Sequence, residues 1–172
     1  IALALLLKCL GCTAGNKTKQ EFNVPGWIIN APKWMKRLYL ASLFGAELTT
    51  PKTVTKHGYN FYGPVLSMNK KIEIRESGNA FLGQVQKILG EFEVSSSLIK
   101  EREEFTNKKG EISIRQRLQI SSAPNNLIKF WSRIGFEYNE KKAFLANCAI
   151  EYLKIKEQII VQREKSILLA KE

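Results

Sequence analysis

The chain has 172 residues, 44% of them hydrophobic and 25% charged, which suits one compact domain or one domain with part of a neighbour. Lysine and arginine outnumber glutamate by 27 to 16, and the net charge of +11 predicts a partner of dense negative charge. The sequence contains no aspartate, which excludes an EF-hand loop, a Ser-His-Asp triad and a kinase-type magnesium site, so any metal-dependent chemistry has to use glutamate.

The first 31 residues combine the apolar end of a helix with a polar loop. Residues 1–10 predict the last turns of a helix that ends at Gly11, and residues 15–20 predict a loop. Cys9 and Cys12 form one CxxC pair without a second, so we expect all three cysteines, Cys148 included, to pack as thiols in a reduced cytosol. No stretch is long enough to span a membrane, which predicts a cytoplasmic protein.

The middle of the chain predicts a helix, a strand and a second helix. Pro32 suits the first position of a helix that runs to about Leu48. After a segment rich in turn residues, hydrophobic and polar residues alternate, which predicts a strand whose outward side carries Ser67, Asn69 and Lys71. Hydrophobic residues then repeat at helical spacing between Gly78 and Phe92 and predict a helix that faces the core.

The second half predicts two more strands and two more helices. A strand over residues 96–105 is followed by a turn over 106–110 and by a strand over 111–121 in which hydrophobic residues alternate with polar or cationic ones. Helices follow over residues 125–134 and from residue 140 onward. From Pro32 the order is helix, strand, strand, helix, strand, strand, helix, with a long helix at the end. This order predicts an α+β fold, a four-stranded antiparallel sheet with its helices on one face.

The uncovered face of this sheet is predicted to be polar and basic. A β surface can enter the major groove of DNA, where its side chains reach base edges and phosphates. We therefore predict a DNA-binding surface formed by Ser67, Asn69, Lys71, Lys100, Arg102, Arg115, Arg117 and Gln119. The alternative is the solvated sheet face of an ordinary α+β protein.

Residues 40–48 (LASLFGAEL) combine small residues with an acid at the end of a predicted helix. Small residues three or four positions apart allow two helix backbones to approach closely. The small residues here are Ala41, Ser42, Gly45 and Ala46. Glu47 can then meet an acid of the partner helix, and the two carboxylates can share metal ions that activate water. This segment resembles the LAGLIDADG motif.

Other segments resemble the intein-borne branch of the LAGLIDADG homing endonucleases: Pro-Gly-Trp-Ile at 25–28, the helix start at 32–41, FWSRIGFEYN at 130–139 and Ala-x-x-Tyr-Leu at 149–153. The resemblance covers essentially the whole chain, which is similar to the second-motif half of an archaeal intein endonuclease. It implies an αββαββα half-domain over 32–139. The end of the preceding half-domain and a linker would occupy 1–31, and a long C-terminal helix would occupy 140–172.

The resemblance also implies a site, a cofactor and partners. Glu47 would be the catalytic acid and would bind Mg²⁺. One basic residue of the family matches Lys141 or Lys142. The other, which lies in the linker, falls on the neutral Asn23, so Lys17 or Lys19 would take its place. The partners would be double-stranded DNA and either the missing first half or a homodimer mate, and no membrane is implied.

Two departures from the family pattern keep other functions open. Leu48 replaces the closing glycine of the motif, and Glu47 stands where aspartate is more common, which favours a catalytically decayed module that binds nucleic acid on the same fold. A structural or interaction domain whose basic face pairs with an acidic protein is a third hypothesis. The chain carries no closing His-Asn dipeptide, so we expect no splicing chemistry in it.

Overall fold

The computed structural model describes residues 2–13, 15–106 and 110–171, and within them it has an α+β architecture with antiparallel sheets. The elements in chain order are α1 (Ala2–Cys9), α2 (Gly26–Ile29), α3 (Lys33–Glu47), β1 (Thr53–Val54), β2 (His57–Phe61), β3 (Val65–Lys71), α4 (Arg75–Glu91), β4 (Ser96–Thr106), β5 (Ile112–Ile120), α5 (Pro124–Arg133) and α6 (Glu140–Leu169). A short 3-10 turn, Ile72–Ile74, links β3 to α4. The turn predicted between β4 and β5 includes residues 107–109, which lie outside the described residues.

The main sheet has three strands, in the order β3-β5-β4, where four were predicted. The missing strand was expected directly after α3. Only its start is present: Leu48 bridges Leu66 in antiparallel fashion, and the Thr49 N–H donates to the Val65 carbonyl at 3.1 Å. Pro51 has no N–H to continue such a ladder. The chain turns away instead, and β1 and β2 pair with each other in a separate two-stranded sheet.

The β1–β2 hairpin packs against the helices at one end of the domain. Phe61 makes edge-to-face contacts with Trp131 of α5 at 5.7 Å and Tyr152 of α6 at 5.9 Å, measured between ring centroids. The Lys156 ammonium donates to the Tyr59 carbonyl at 2.8 Å. The hairpin is therefore attached to the helical layer by aromatic packing and by one lysine of α6.

The hydrophobic core lies between the three-stranded sheet and the helices, as the alternation and helical spacing predicted. In β5 every second residue from Ile114 to Ile120 is buried, while Arg115, Arg117 and Gln119 between them are half-buried. α4 covers this inner face with its predicted apolar side, which consists of Phe81, Leu82, Val85, Ile88 and Leu89. The helices thus leave the opposite face of the sheet to its polar residues.

The two terminal helices contribute unequally to the core. α1 buries none of its residues, and α6 buries residues only as far as Leu153, so its last 16 residues extend beyond the core. The three cysteines are free and exposed, so the prediction that they pack as buried thiols is wrong. No helix in the described part of the chain combines the length and apolar character needed to cross a membrane.

Candidate nucleic-acid interface and acidic site

Glu47 is the last residue of α3 and lies where the helix meets the edge of the sheet. Leu48 follows as the C-cap, with φ −76° and ψ 150°, and its side chain is only 3% exposed. This extended backbone is open to any residue, so the helix ends without the glycine that the resemblance implied at this position. The leucine side chain enters the core and thereby fixes the end of the helix that carries Glu47.

Lys142 anchors the same helix end. Its ammonium is buried and donates to the carbonyls of Phe44, Gly45 and Leu48, at 3.2, 2.8 and 2.6 Å. A cation suits this position because the last carbonyls of a helix lack intrahelical donors and carry partial negative charge. Burial lowers the pKa of Lys142, and the Glu47 carboxylate opposes that shift. Lys141, the other predicted lysine, is exposed.

Half of the small-residue face of α3 packs against a loop of the same chain, not against another helix. The Glu137 N–H donates to the Ala41 carbonyl at 3.0 Å, and the Asn139 amide donates to the Gly45 carbonyl at 2.9 Å. A Cβ atom on Gly45 would lie 2.1 Å from the Glu137 carbonyl oxygen. Ala41 and Gly45 are therefore small because the loop before α6 crosses over them, which corrects the role predicted for these two residues.

The other two small residues, Ser42 and Ala46, are not covered by the loop, and two large hydrophobic residues continue their row along the helix. Trp34 is 60% exposed and Leu38 is 39% exposed, while Ser42 is half-buried and Ala46 is exposed. These residues follow one another at intervals of four and form one stripe along α3. We call this set the α3 stripe.

A cleft of about 600 Å³ lies between α3, the segment before α2 and the open edge of β3. It brings together four of the predicted site residues, Glu47, Ser67, Asn69 and Arg115, together with Lys17. The other predicted residues do not line it: Lys71, Lys100, Arg102, Arg117, Gln119, Lys141 and Lys142. Glu47 is the acidic residue of the cleft lining in the described part of the chain.

Lys17, and not Lys19, lies beside the acid. Its ammonium is 3.4 Å from Glu47 Oε1, with 70% of the lysine side chain and 46% of the glutamate side chain exposed. An exposed pair of this kind contributes little to stability. Both groups are accessible from the cleft.

Lys70 holds the loop that presents Lys17, a role that the sequence analysis missed. Lys70 is fully buried; its ammonium donates to the carbonyls of Lys17, at 2.9 Å, and of Gln20, and lies 3.8 Å from the centre of the Phe22 ring. Burial lowers its pKa, opposed by Glu21. The signal was present: Lys70 falls on the inward side of the alternating strand, where a lysine needs buried partners.

The outward face of the sheet forms cross-strand rows. Arg115 lies opposite Asn69 on one side and Arg102 on the other, and the next row joins Arg117 to Ser67 and Ile99. Gln119 pairs with Val65 and Ser97, and Lys71 pairs with Ser113. The register is irregular between Ile99 and Arg102, which leaves Lys100 without a partner position in any row.

Acidic residues neutralise part of this face. Glu104 contacts Arg115 and Arg102, and Glu111 contacts Lys71. Arg117 Nε is buried and has no hydrogen-bond partner among the residues described. The face is therefore basic, but less of its positive charge is free than the sequence suggested.

The side chains present supply only part of a metal site. Within residues 2–13, 15–106 and 110–171, no group of three or more His, Cys or Glu side chains could hold a metal ion. One accessible carboxylate fits Mg²⁺ as a single ligand, because this ion keeps several waters and takes few protein ligands. A second carboxylate would have to come from another polypeptide segment.

Comparison with known proteins gives matches inside three differently named archaeal proteins. The chain is 36% identical over 162 residues to the DNA-directed RNA polymerase subunit Rpo1N of Methanocaldococcus jannaschii, with 94% of this chain and 12% of that protein covered. It is 35% identical over 167 residues to the tRNA-splicing ligase RtcB of Pyrococcus abyssi, covering 96% and 17%. It is 35% identical over 156 residues to the replication factor C small subunit of Methanocaldococcus jannaschii, covering 91% and 8%.

No family model matches the chain, and no solved structure matches it significantly. The chain spans less than a fifth of the length of these three relatives. Nearly all of this chain is thus similar to a short segment of each of several archaeal proteins that carry different names.

Proposed function

We propose that this chain is the second-motif half of a LAGLIDADG homing endonuclease carried by an archaeal intein, which binds double-stranded DNA and contributes one metal-binding acid to phosphodiester hydrolysis. The observation that carries the proposal is the set of relatives. A polymerase subunit, a tRNA-splicing ligase and a replication factor have different names and activities, yet each contains a segment similar to nearly the whole chain. A segment inserted into unrelated host proteins accounts for this distribution, whereas a domain that serves any one host activity does not.

The sheet supports DNA as the ligand of this half. A two-stranded β-ribbon fits a major groove about 12 Å wide, and adjacent strands of this sheet lie about 4.8 Å apart. Arginine, asparagine and serine side chains point from this face, and the net charge of +11 favours a polyanion. The Glu47 cleft opens at the β3 edge of the same face, so DNA lying on the sheet would bring a phosphate close to the carboxylate.

Two charged residues of the cleft and two residues beneath it have roles in this proposal. Glu47 would hold the metal ion, and Lys17, whose ammonium lies 3.4 Å from the Glu47 carboxylate, would face the phosphate. Lys142 and Leu48 fix the end of α3, so that the carboxylate has a defined position. When bound, Mg²⁺ would stabilise the charge that develops on the phosphate and would acidify a water molecule.

The proposal requires a partner. Glu47 is the one acid of the described cleft lining, and the α3 stripe offers small and apolar side chains to a second helix. The partner is therefore the missing first half, which lies next to this segment in a longer chain, or a second copy that acts as a homodimer mate.

The test uses the complete host polypeptide that contains this segment, with Mg²⁺, and a plasmid that carries the host gene without the insertion. We expect linearisation of the plasmid by the natural sequence and its loss in Glu47→Gln, because the amide cannot replace a metal-binding carboxylate. Glu164→Gln on the exposed end of α6 is the matched control and should cleave normally. Full cleavage by Glu47→Gln would contradict the assignment of the site.

A second candidate is a nucleic-acid-binding module without catalysis. It is favoured by Leu48 in place of the closing glycine of the motif and by Glu47 where aspartate is more common. Gel shifts that weaken with salt, with no cleavage under any divalent metal and with both halves present, would select this function. Complexes insensitive to salt would argue against both nucleic-acid functions and in favour of an acidic protein partner.

A further inference from the structure

Glu104 bridges two arginines on the outward face of the sheet. Each of its two carboxylate oxygens contacts a different arginine: Oε1 accepts from Arg115 Nη2, and Oε2 lies 3.5 Å from Arg102 Nη2. The Glu104 side chain is 26% exposed and that of Arg115 is 33% exposed, so this pair is shielded from water on more than half of its surface. Partial shielding strengthens the attraction relative to a fully exposed ion pair.

The position of the two arginines explains why the sheet contains this carboxylate. Arg102 and Arg115 are register partners, directly opposite each other on β4 and β5. Like charges in such positions repel and destabilise the strand pair. Glu104 reduces this repulsion, since its carboxylate contacts one Nη atom of each guanidinium group.

In the part of the chain that the structure describes, the neighbouring row contains no acidic residue. Arg117 lies between Ser67 and Ile99, neither of which is acidic, and its Nε has no partner among the described residues. Arg117 therefore has no carboxylate partner in its own row, whereas Arg102 and Arg115 share the Glu104 carboxylate. The two rows differ in how readily they accept a phosphate, although both contain arginine.

We propose that Glu104 is a specificity-determining residue of the DNA-binding face, an internal counter-ion that phosphate has to displace from Arg102 and Arg115; this inference rests on the proposed function. Duplex DNA that touches these arginines brings phosphates close to a carboxylate, and the like charges oppose binding. This repulsion between the phosphates and the Glu104 carboxylate is present at every DNA sequence. It is relieved where the carboxylate finds a donor in the groove, such as the amino group of cytosine. Glu104 therefore weakens non-specific binding.

The experiment compares Glu104→Gln with Glu151→Gln in the full chain. Glu151 pairs with Lys154 on α6, outside the sheet, at 2.9 Å, so both variants remove one paired acid and raise the net charge equally, although Glu104 contacts two arginines and Glu151 one lysine. The probes are a random-sequence DNA duplex in a salt titration and a heparin column, together with thermal unfolding. For Glu104→Gln we expect about 3-fold to 10-fold tighter duplex binding, a steeper salt dependence by about one phosphate contact, and a Tm lower by about 2–4 °C. Glu151→Gln should change none of these beyond the small effect of one charge.

Each outcome separates the inference from the proposed function. Equal duplex binding and equal Tm for Glu104→Gln and Glu151→Gln would overturn the role of Glu104. If no protein binds the duplex, yet Glu104→Gln elutes from heparin at higher salt and unfolds at lower temperature, the counter-ion role stands and the DNA function fails. Tighter duplex binding by Glu104→Gln alone supports both.

Discussion

Lys142→Met tests whether this lysine holds the end of α3. Methionine has nearly the same length and remains suited to a buried site, so the substitution removes the ammonium without creating a large cavity. Three carbonyls of the helix end, those of Phe44, Gly45 and Leu48, then lose their donor. Hydrogen bonds to charged groups contribute about 1.5–3 kcal/mol each, and the desolvation of the ammonium offsets part of this sum. We expect a net loss of about 3 kcal/mol in the free energy of unfolding.

The assay is urea unfolding at neutral pH, with Lys141→Met as the matched control. Lys141 is the exposed neighbour of Lys142, so its replacement should change stability by less than about 0.5 kcal/mol. A loss below about 1 kcal/mol in Lys142→Met, with an unchanged dependence on urea, would refute the anchoring role.

The pH dependence gives a second readout of the same lysine. Burial lowers the pKa of Lys142 below its ordinary value of 10.5, so in the alkaline window below 10.5 the folded protein binds fewer protons than the unfolded chain. Stability from this group therefore rises as pH increases through that window. Lys142→Met should lack this contribution, and an unchanged pH profile would contradict the assignment.

Three further substitutions test other contacts. Gly45→Ala should destabilise the protein by about 2–3 kcal/mol in thermal unfolding because the new Cβ would lie 2.1 Å from the Glu137 carbonyl oxygen, whereas Gly83→Ala, with open space around its Cβ, should stabilise helix α4 by up to about 1 kcal/mol. Equal effects of the two would contradict the close approach. Burial, with a smaller contribution from Cys12, raises the pKa of Tyr39 to about 12 from 10.0, so stability should fall by about 2 kcal/mol as pH rises from 10 to 12, and Tyr39→Phe should abolish this loss. Phenolate absorbance checks it, and a Tyr39 that titrates near 10 would refute it. Lys70→Met should speed amide hydrogen exchange in the loop before α2 with little change in α4, and equal exchange in both proteins would remove its role in holding Lys17.

Much of the secondary structure follows from local sequence. The apolar side of α4, the alternation in β5 and the start of α3 after Pro32 are all visible in the residue pattern and are all present in the structure. These features arise within a few residues of each other, because helical and extended backbones place side chains with fixed periods. The same pattern indicated the outward polar face of β3 and β5.

The patterns failed where the deciding contact is distant in sequence or breaks the period. Gln116 interrupts the apolar side of β5, yet it is only 1% exposed because its amide donates to the Arg75 carbonyl and to Asn79. The fourth strand was expected from its position after α3, but the chain pairs into a separate hairpin beyond Pro51. The cysteines looked like packing residues by type, and they are exposed.

The candidate site illustrates the same division. The amino-acid sequence by itself predicted that Glu47 lies at the end of a helix and that a basic strand face follows, and its resemblance to the LAGLIDADG family indicated Lys17, Lys19, Lys141 and Lys142 as candidate basic residues. Only the tertiary structure decided between them, since it places Lys17 at the carboxylate and seals Lys142 beneath the helix end, 97 residues from the Gly45 carbonyl that it binds. Periodicity states which side of an element a residue occupies. Which distant element covers that side depends on how the whole chain packs, and this packing gives two neighbouring lysines different surroundings.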